Sequence, residues 1–313
     1  MLQRLAVKNF RCFRSVDVPM RPLTVLIGPN DSGKSAFLAS IERLVSNPGW
    51  GQSDHWRLEA NRSVVLSAET SAGSVRVEQP ANSRSGSASH LQPLGFYRLP
   101  CHGVQMESPG YSDQAGPQPL AWDGGGVPSL LDYLLRRDRR RFFAFVESIR
   151  GLVPGLEELE IATPSPQGRR LDLVIEKGVR IPAEQTSAGV RLLLFFVALA
   201  YHPSPPRLIL LEEPENGIHP KRLADVIRLL RELTQGIHGG QAAQIVLTTH
   251  SPYLLDHVDL AQDQVLVFQR KEDGRRTVEA ADAARLKTFL DEFMLGEVWF
   301  NQEEKGLVAQ PTS

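Results

Sequence analysis

The sequence predicts an α/β fold: a mainly parallel core sheet covered by helices, with an antiparallel β meander and a helical insert attached. Three observations predict it. A short apolar run at 23–27 leads into Gly28-Pro29-Asn30-Asp31-Ser32-Gly33-Lys34-Ser35, and apolar residues at helical spacing follow (Phe37, Leu38, Ile41, Leu44, Val45). Two more aliphatic runs, at 208–211 and 244–248, are each followed by polar and turn-forming residues. Around these runs the order strand, turn, helix recurs, as it does where helices connect parallel strands.

Taken in order, Leu2, Leu5, Val7 and Phe10 outline a first strand at 2–10, which passes through residues 11–15 into a second at 16–19. Strands at 64–68 and 75–77, joined by a Ser-Ala-Gly turn, complete the meander. Residues 80–128 are rich in Gly, Pro and Ser and read mostly as loop, with a short apolar piece at 94–99. One helical region is expected over 129–152, where Leu131, Leu134, Leu135, Phe142, Phe145, Val146 and Ile149 repeat at three- and four-residue spacing. A hairpin follows at 156–161 and 171–176, then an apolar helix over 190–201 ended by Pro203, Pro205 and Pro206. Residues 221–233 form an amphipathic helix between the strands at 208–211 and 244–248. The expected division is an N-terminal lobe at 1–79, a loop-rich and helical insert at 80–184, and a C-terminal lobe with a short tail at 185–313.

The 313 residues carry 35 Lys plus Arg against 36 Asp plus Glu, so overall charge advertises neither nucleic acid nor a membrane surface. Cys12 and Cys101 are far apart and in no metal-ligand spacing, which fits a reducing compartment without a zinc site. The start carries Arg4, Lys8 and Arg11 and no signal-like apolar core, and no apolar run is long enough to span a bilayer. A cytoplasmic protein without membrane association is expected.

The stretch from Gly28 to Ser35, set between strand and helix, is the context of a phosphate-binding P-loop. Gly28 and Gly33 permit a tight turn whose N–H groups face inward, and the helix N-terminus adds partial positive charge. Lys34 reaches the β- and γ-phosphates, and the Ser35 hydroxyl ligates Mg²⁺. Glu212 and Glu213 end the run at 208–211, on a strand expected beside the P-loop strand. Glu212 would hold Mg²⁺, and Glu213 would orient and polarise the attacking water as general base. His250 follows the strand at 244–248 and is placed to donate to γ-phosphate oxygens. Ser187 and Gly189 open the apolar helix and form a second anion site. One nucleotide does not need two helix N-termini within one subunit, so two subunits are expected to close on each nucleotide. The run Arg136, Arg137, Asp138, Arg139, Arg140, Arg141 is either a solvated helix face or helix–helix corner, or a contact to a DNA or RNA backbone.

Together these motifs resemble the ABC-type ATPases of the SMC/RecF/OLD group, and within it the compact, standalone AAA/RecF-like ATPases. The resemblance takes in the opening Lys8-Asn9-Phe10-Arg11-Cys12-Phe13, the Walker A loop, the signature-like residues 186–189 and the Walker B segment. It continues through Pro214-Glu215-Asn216-Gly217-Ile218-His219-Pro220, His250 and Leu295-Gly296-Glu297-Val298-Trp299-Phe300. It implies a P-loop NTPase of the ABC-ATPase head type and a head-to-tail dimer with two ATP molecules between one subunit's P-loop and the other's signature helix. It implies Arg11 near the nucleotide, and a Mg²⁺-sensing glutamine for which Gln79 and Gln92 are both candidates. Three residues depart from the group's pattern: Thr186 stands where Leu is usual, Glu212 where Asp is usual, and Asn216 in place of an Asp-containing loop.

No sustained heptads lie between Ser35 and Ser187, so long coiled-coil arms are not expected. The stretch after His250 lacks the acidic triad of an OLD-type TOPRIM nuclease. The expected function is ATP hydrolysis coupled to dimerisation, driving or gating action on nucleic acid or on an effector carried by a separate chain. Repair and defence against phage are settings of the wider group. An ATP-gated sensor with incidental turnover and a transporter-type ATPase subunit are the alternatives.

Overall fold

A computed structural model of the protein describes residues 1–46, 50, 52–56, 62–80, 94–110, 116–271, 275–282, 284, 294–295, 298–299 and 307–308. Gln92 and residues 296, 297 and 300 of the closing segment lie outside the described residues. In chain order the described elements are β1 (Leu2–Phe10), β2 (Phe13–Pro19), β3 (Leu23–Ile27), α1 (Lys34–Ser46), β4 (Val64–Thr70), β5 (Gly73–Gln79), β6 (Leu94–Arg98) and β7 (Glu107–Pro109). They continue with α2 (Val127–Arg137), α3 (Arg139–Leu152), β8 (Leu156–Ala162), β9 (Gly168–Ile175), β10 (Val179–Pro182) and α4 (Ala188–Ala200). Then come β11 (Leu208–Glu212), α5 (Leu223–Gln235), β12 (Gln244–Thr248), the short α6 (Pro252–Leu255), β13 (Gln264–Arg270) and β14 (Arg276–Ala280). None of the described helices is long and apolar enough to cross a membrane.

The chain divides into two compact units. The first comprises Met1–Phe96, Arg207–Glu212 and Gln244–Ser313. Its antiparallel sheet, in the order β2-β1-β4-β5, is the expected meander. Its second sheet runs β14-β13-β3-β12-β11-β6, with β13, β3, β12 and β11 parallel. β3 and β12 are buried along their whole length, as strands covered on both faces must be. Helix α1 contributes Phe37, Leu38, Ile41, Leu44 and Val45 to a core shared with Val7 and Leu66 of the meander and Leu210 and Val246 of the parallel sheet. The buried Gln244 side chain stitches the two sheets, accepting from Leu2 N at 2.6 Å and donating to Leu2 O at 2.7 Å. Both polar ends of that amide are thus satisfied where water is absent.

The second unit comprises Tyr97–Pro206 and Glu213–Ala243. Its centre is α4, buried from Leu192 to Ala200 because it is apolar on every face. Helices α2, α3 and α5 pack around it, and β9 pairs with β7, β8 and β10 in a small antiparallel sheet. The single helical region expected at 129–152 is two helices. Asp138 breaks it at φ −144° and caps the second, its carboxylate accepting from Arg141 N at 3.1 Å. Buried His202 belongs to this core: Ser204 N donates to Nδ1 at 3.0 Å, Nε2 faces Gln118 O at 3.0 Å, and burial pushes its pKa down.

Candidate nucleotide-binding site

β3 delivers the chain into the loop, and α1 starts at Lys34 directly after it. Gly28 and Gly33 have φ of 141° and 110°, and both are also closely packed. A Cβ on Gly28 would lie 2.3 Å from the carbonyl oxygen of Phe268, and one on Gly33 would lie 2.7 Å from the Phe13 ring and 2.9 Å from Cys12 Sγ. Lys34, only 7% exposed, folds over its own loop, with Nζ donating to Gly28 O at 2.8 Å and Pro29 O at 3.0 Å. The Ser32 hydroxyl is buried without a hydrogen-bond partner among the described residues. A buried orphan hydroxyl, a lysine ammonium and the first turn of a helix around one narrow loop fit a group that supplies anionic oxygens. Pro29, Asn30 and Asp31 form the exposed outer rim of this loop, and Ser35 is exposed one residue into α1.

The sheet register places the other motifs. Glu212 ends β11 opposite Thr248 of β12, and Thr248 lies opposite Leu26 of β3. Contrary to expectation, β11 is therefore not beside the P-loop strand. The crossover through α5 brings the chain back as β12, and β12 takes that place. Two strand spacings, about 10 Å, separate the Glu212 and P-loop strands. Among the described residues no three His, Cys, Asp or Glu side chains converge as a metal site. A Mg²⁺ ion would be held by Ser35, Glu212 and nucleotide oxygens, where it would neutralise developing phosphate charge. Thr249 N donates to Leu26 O at 3.0 Å, which fixes the half-buried His250 as the next residue along at the loop end of β3.

Glu213, one peptide bond after Glu212, has φ +45°, a conformation that costs a non-glycine residue about 1–3 kcal/mol. The following turn holds it there: Asn216 N donates to Glu213 O at 3.1 Å, and Asn216 Nδ2 donates to the Glu213 carboxylate at 2.8 Å. Asn216, noted from the sequence only as a departure, is thus the residue that orients Glu213. Ser187 is exposed and caps α4, accepting from Val190 N at 3.3 Å. Thr186 is used locally, its hydroxyl donating to Ala183 O at 2.6 Å. Gly189 is packed so closely that a Cβ would lie 3.1 Å from Gly217 O. A cavity of about 150 Å³ opens beside this helix start, lined in part by Ser187, Gly189, His219 and Arg222.

Two family models match the chain: one described as "AAA domain, putative AbiEii toxin, Type IV TA system" over residues 116–256, the other as "AAA ATPase domain" over residues 1–78. The OLD nuclease of Thermus scotoductus is 24% identical over 374 aligned positions, taking in 95% of this chain and 68% of that protein. The fold is similar to an SMC head bound to the C-winged helix domain of ScpA, with TM-score 0.60, 14% identity, and coverage of 90% of this chain and 98% of that one. It is also similar to the SMC head domain of Thermotoga maritima, with TM-score 0.53, 17% identity, and coverage of 90% and 99%. The chain thus carries matches to AAA-type ATPase domains, resembles an OLD nuclease in sequence, and resembles SMC heads in fold.

The β1–β2 turn lies against the P-loop through Cys12 and Phe13, which touch the Gly33 position. Arg11 itself is turned to Asp54, with Nε and Nη2 donating at 3.1 and 3.0 Å, and Arg43 Nε holds the other carboxylate oxygen at 3.1 Å. Gln79 is buried at the end of β5, on the same side of the meander as that turn. Phe268 and Arg276 touch the loop and were not singled out from the sequence. The apolar run 265–268 and the alternation at 276–280, with Glu-Asp-Gly between them, carried the signal for their hairpin.

The arginine run divides at the α2–α3 corner. Arg136 Nε donates to Asp132 at 2.7 Å, beside Arg169 at 2.6 Å, and Arg141 is drawn inward to donate to Gly239 O at 3.1 Å. Arg139 and Arg140 remain exposed with no ion pair among the described residues. Phe143, one turn further along α3, is 60% exposed. That exposed ring beside Arg139 and Arg140 was not anticipated, because phenylalanine in a helical pattern reads as core.

Proposed function

We propose that the protein binds and hydrolyses ATP with Mg²⁺, and that ATP-dependent head-to-tail dimerisation drives or gates action on nucleic acid or on a partner effector. The P-loop carries this reading: Lys34, the unpartnered Ser32 hydroxyl and the α1 N-terminus form one anion cradle. Within it Gly28, Pro29, Asn30, Asp31, Ser32 and Gly33 wrap the phosphates, Lys34 binds the β- and γ-oxygens, and Ser35 with Glu212 holds the metal. Glu213 takes the proton of the attacking water, and His250 donates to the γ-phosphate. Ser187 and Gly189 meet that phosphate from a second subunit. The exposure of Ser187 at the start of a thirteen-residue helix supports this role. Arg11 supports the loop from the β1–β2 turn.

Mixing variants tests the dimer. Lys34→Ala subunits lack a P-loop lysine, and Ser187→Arg subunits put bulk where the partner's phosphate would dock. Each alone should be inactive, and the mixture should regain turnover from one intact composite site. No recovery, with both variants folded, would refute closure in trans.

A partner effector is suggested by the SMC head neighbour, which is bound to ScpA. Nucleic acid is suggested by the OLD nuclease relative and by Arg136, Arg137, Arg139, Arg140 and Phe143 at the α2–α3 corner. Two phosphate contacts from Arg139 and Arg140 set a measurable slope. The Arg139→Ala/Arg140→Ala double variant should lower the dependence of log K on log[salt] by about 1.5–2. An unchanged slope in a DNA titration would return the corner to a solvated helix face.

A further inference from the structure

Asp31 is the non-glycine residue of the P-loop with left-handed backbone, at φ +59°. Its side chain is 73% exposed, so burial does not hold it. Arg276 of β14 does. Its Nε donates to the Asp31 carbonyl oxygen at 3.1 Å, and its Nη2 donates to the carboxylate at 2.8 Å. The Arg276 side chain is only 13% exposed, so the guanidinium is packed in place. The far side of the same peptide unit is also held, with Ser32 N donating to Pro29 O at 3.3 Å. The support is anchored in the sheet that feeds the loop. β14 pairs with β13 in the register Arg270 to Arg276, and β13 pairs with β3 in the register Val267 to Ile27. A second guanidinium, that of Arg270, stands 4.0 Å from the Asp31 carboxylate.

A carboxylate on the rim of a triphosphate site repels the ligand unless a cation is fixed against it. We propose that Arg276 is a positioning residue for nucleotide binding: it pins the P-loop at Asp31 and cancels the charge of that carboxylate. The inference rests on the reading of the loop as an ATP site. It assigns a binding role to the β13–β14 hairpin, which lies between His250 and the closing segment.

The test is calorimetric titration with ATP and with ADP, each beside a thermal melt. Arg276→Ala should weaken ATP about tenfold, the scale of one charge-assisted contact, with a smaller loss for the less charged ADP. Its melting midpoint should move little, because the ion pair is largely exposed on the Asp31 side. Adding Asp31→Asn should recover a threefold or greater part of the ATP loss, since the repelling charge goes with it. Arg276→Lys, which keeps the charge and loses the fork, should fall between the native protein and Arg276→Ala. An Arg276→Ala affinity within twofold of native overturns the proposal. So does a loss that is equal for ATP and ADP and insensitive to Asp31→Asn. Lys34→Ala separates the two readings. If it abolishes binding while Arg276→Ala does not weaken it, only the role of Arg276 falls. If the native protein does not bind ATP, both fall.

Discussion

Lys34→Ala is expected to raise the ATP dissociation constant by about a hundredfold or more. The side chain is an ammonium on a buried stem whose donors already point at two carbonyls of the loop, Gly28 O and Pro29 O. Phosphate oxygens arriving in the loop would draw those donors into charge-assisted bonds, each about 1.5–3 kcal/mol, so losing two accounts for the size of the effect. The substitution also leaves the Gly28 carbonyl without its donor. Lys34→Met therefore belongs beside it, because it keeps the apolar stem and removes only the charge. Calorimetry on both folded variants decides: native affinity in either would refute the assignment of the loop to ATP.

Glu213→Gln should lower turnover by about a hundredfold or more, the usual scale for removing a general base, while ATP affinity stays near native. The change preserves shape, and an amide oxygen still accepts from Asn216 Nδ2, so the strained residue keeps its hold. Without hydrolysis, the ATP-bound pair should accumulate and be seen by light scattering with ATP and Mg²⁺ but not with ADP. ADP lacks the γ-phosphate that a second subunit's Ser187 would meet, and only such a difference shifts the equilibrium. Turnover surviving in Glu213→Gln but lost in Glu212→Gln would reverse the two roles.

Much of the parallel sheet was legible because strand, glycine turn and helix follow one another within a few residues around Gly28 and Gly33. The meander was legible for the same local reason, through alternation at Leu5 and Val7 and at Leu66 and Ala68. The position of β12 was not. Strand order depends on where the crossover after Glu212 returns, and nothing local to residues 208–212 records that. The break at Asp138 was present in the arginine run as an N-cap residue between two arginines and three, yet the apolar period continued across it. Asn216 lay three residues from Glu213, within reach of a side-chain bond, but the positive φ that makes that bond matter is a tertiary fact. Arg276 was beyond sequence reasoning, since its partner Asp31 is at the other end of the chain.

The approach of Gly189 to Gly217 joins the start of α4 to the far end of the turn that carries Glu213 and Asn216. Main chain meets main chain there, with no side chain between to yield. In a head-to-tail pair those two ends would face different ATP molecules, the turn its own and the helix start its neighbour's. A shift in the turn when one phosphate bond breaks would press directly on the grip around the other nucleotide. The two chambers would then work as an escapement, each stroke in one setting the timing of the next.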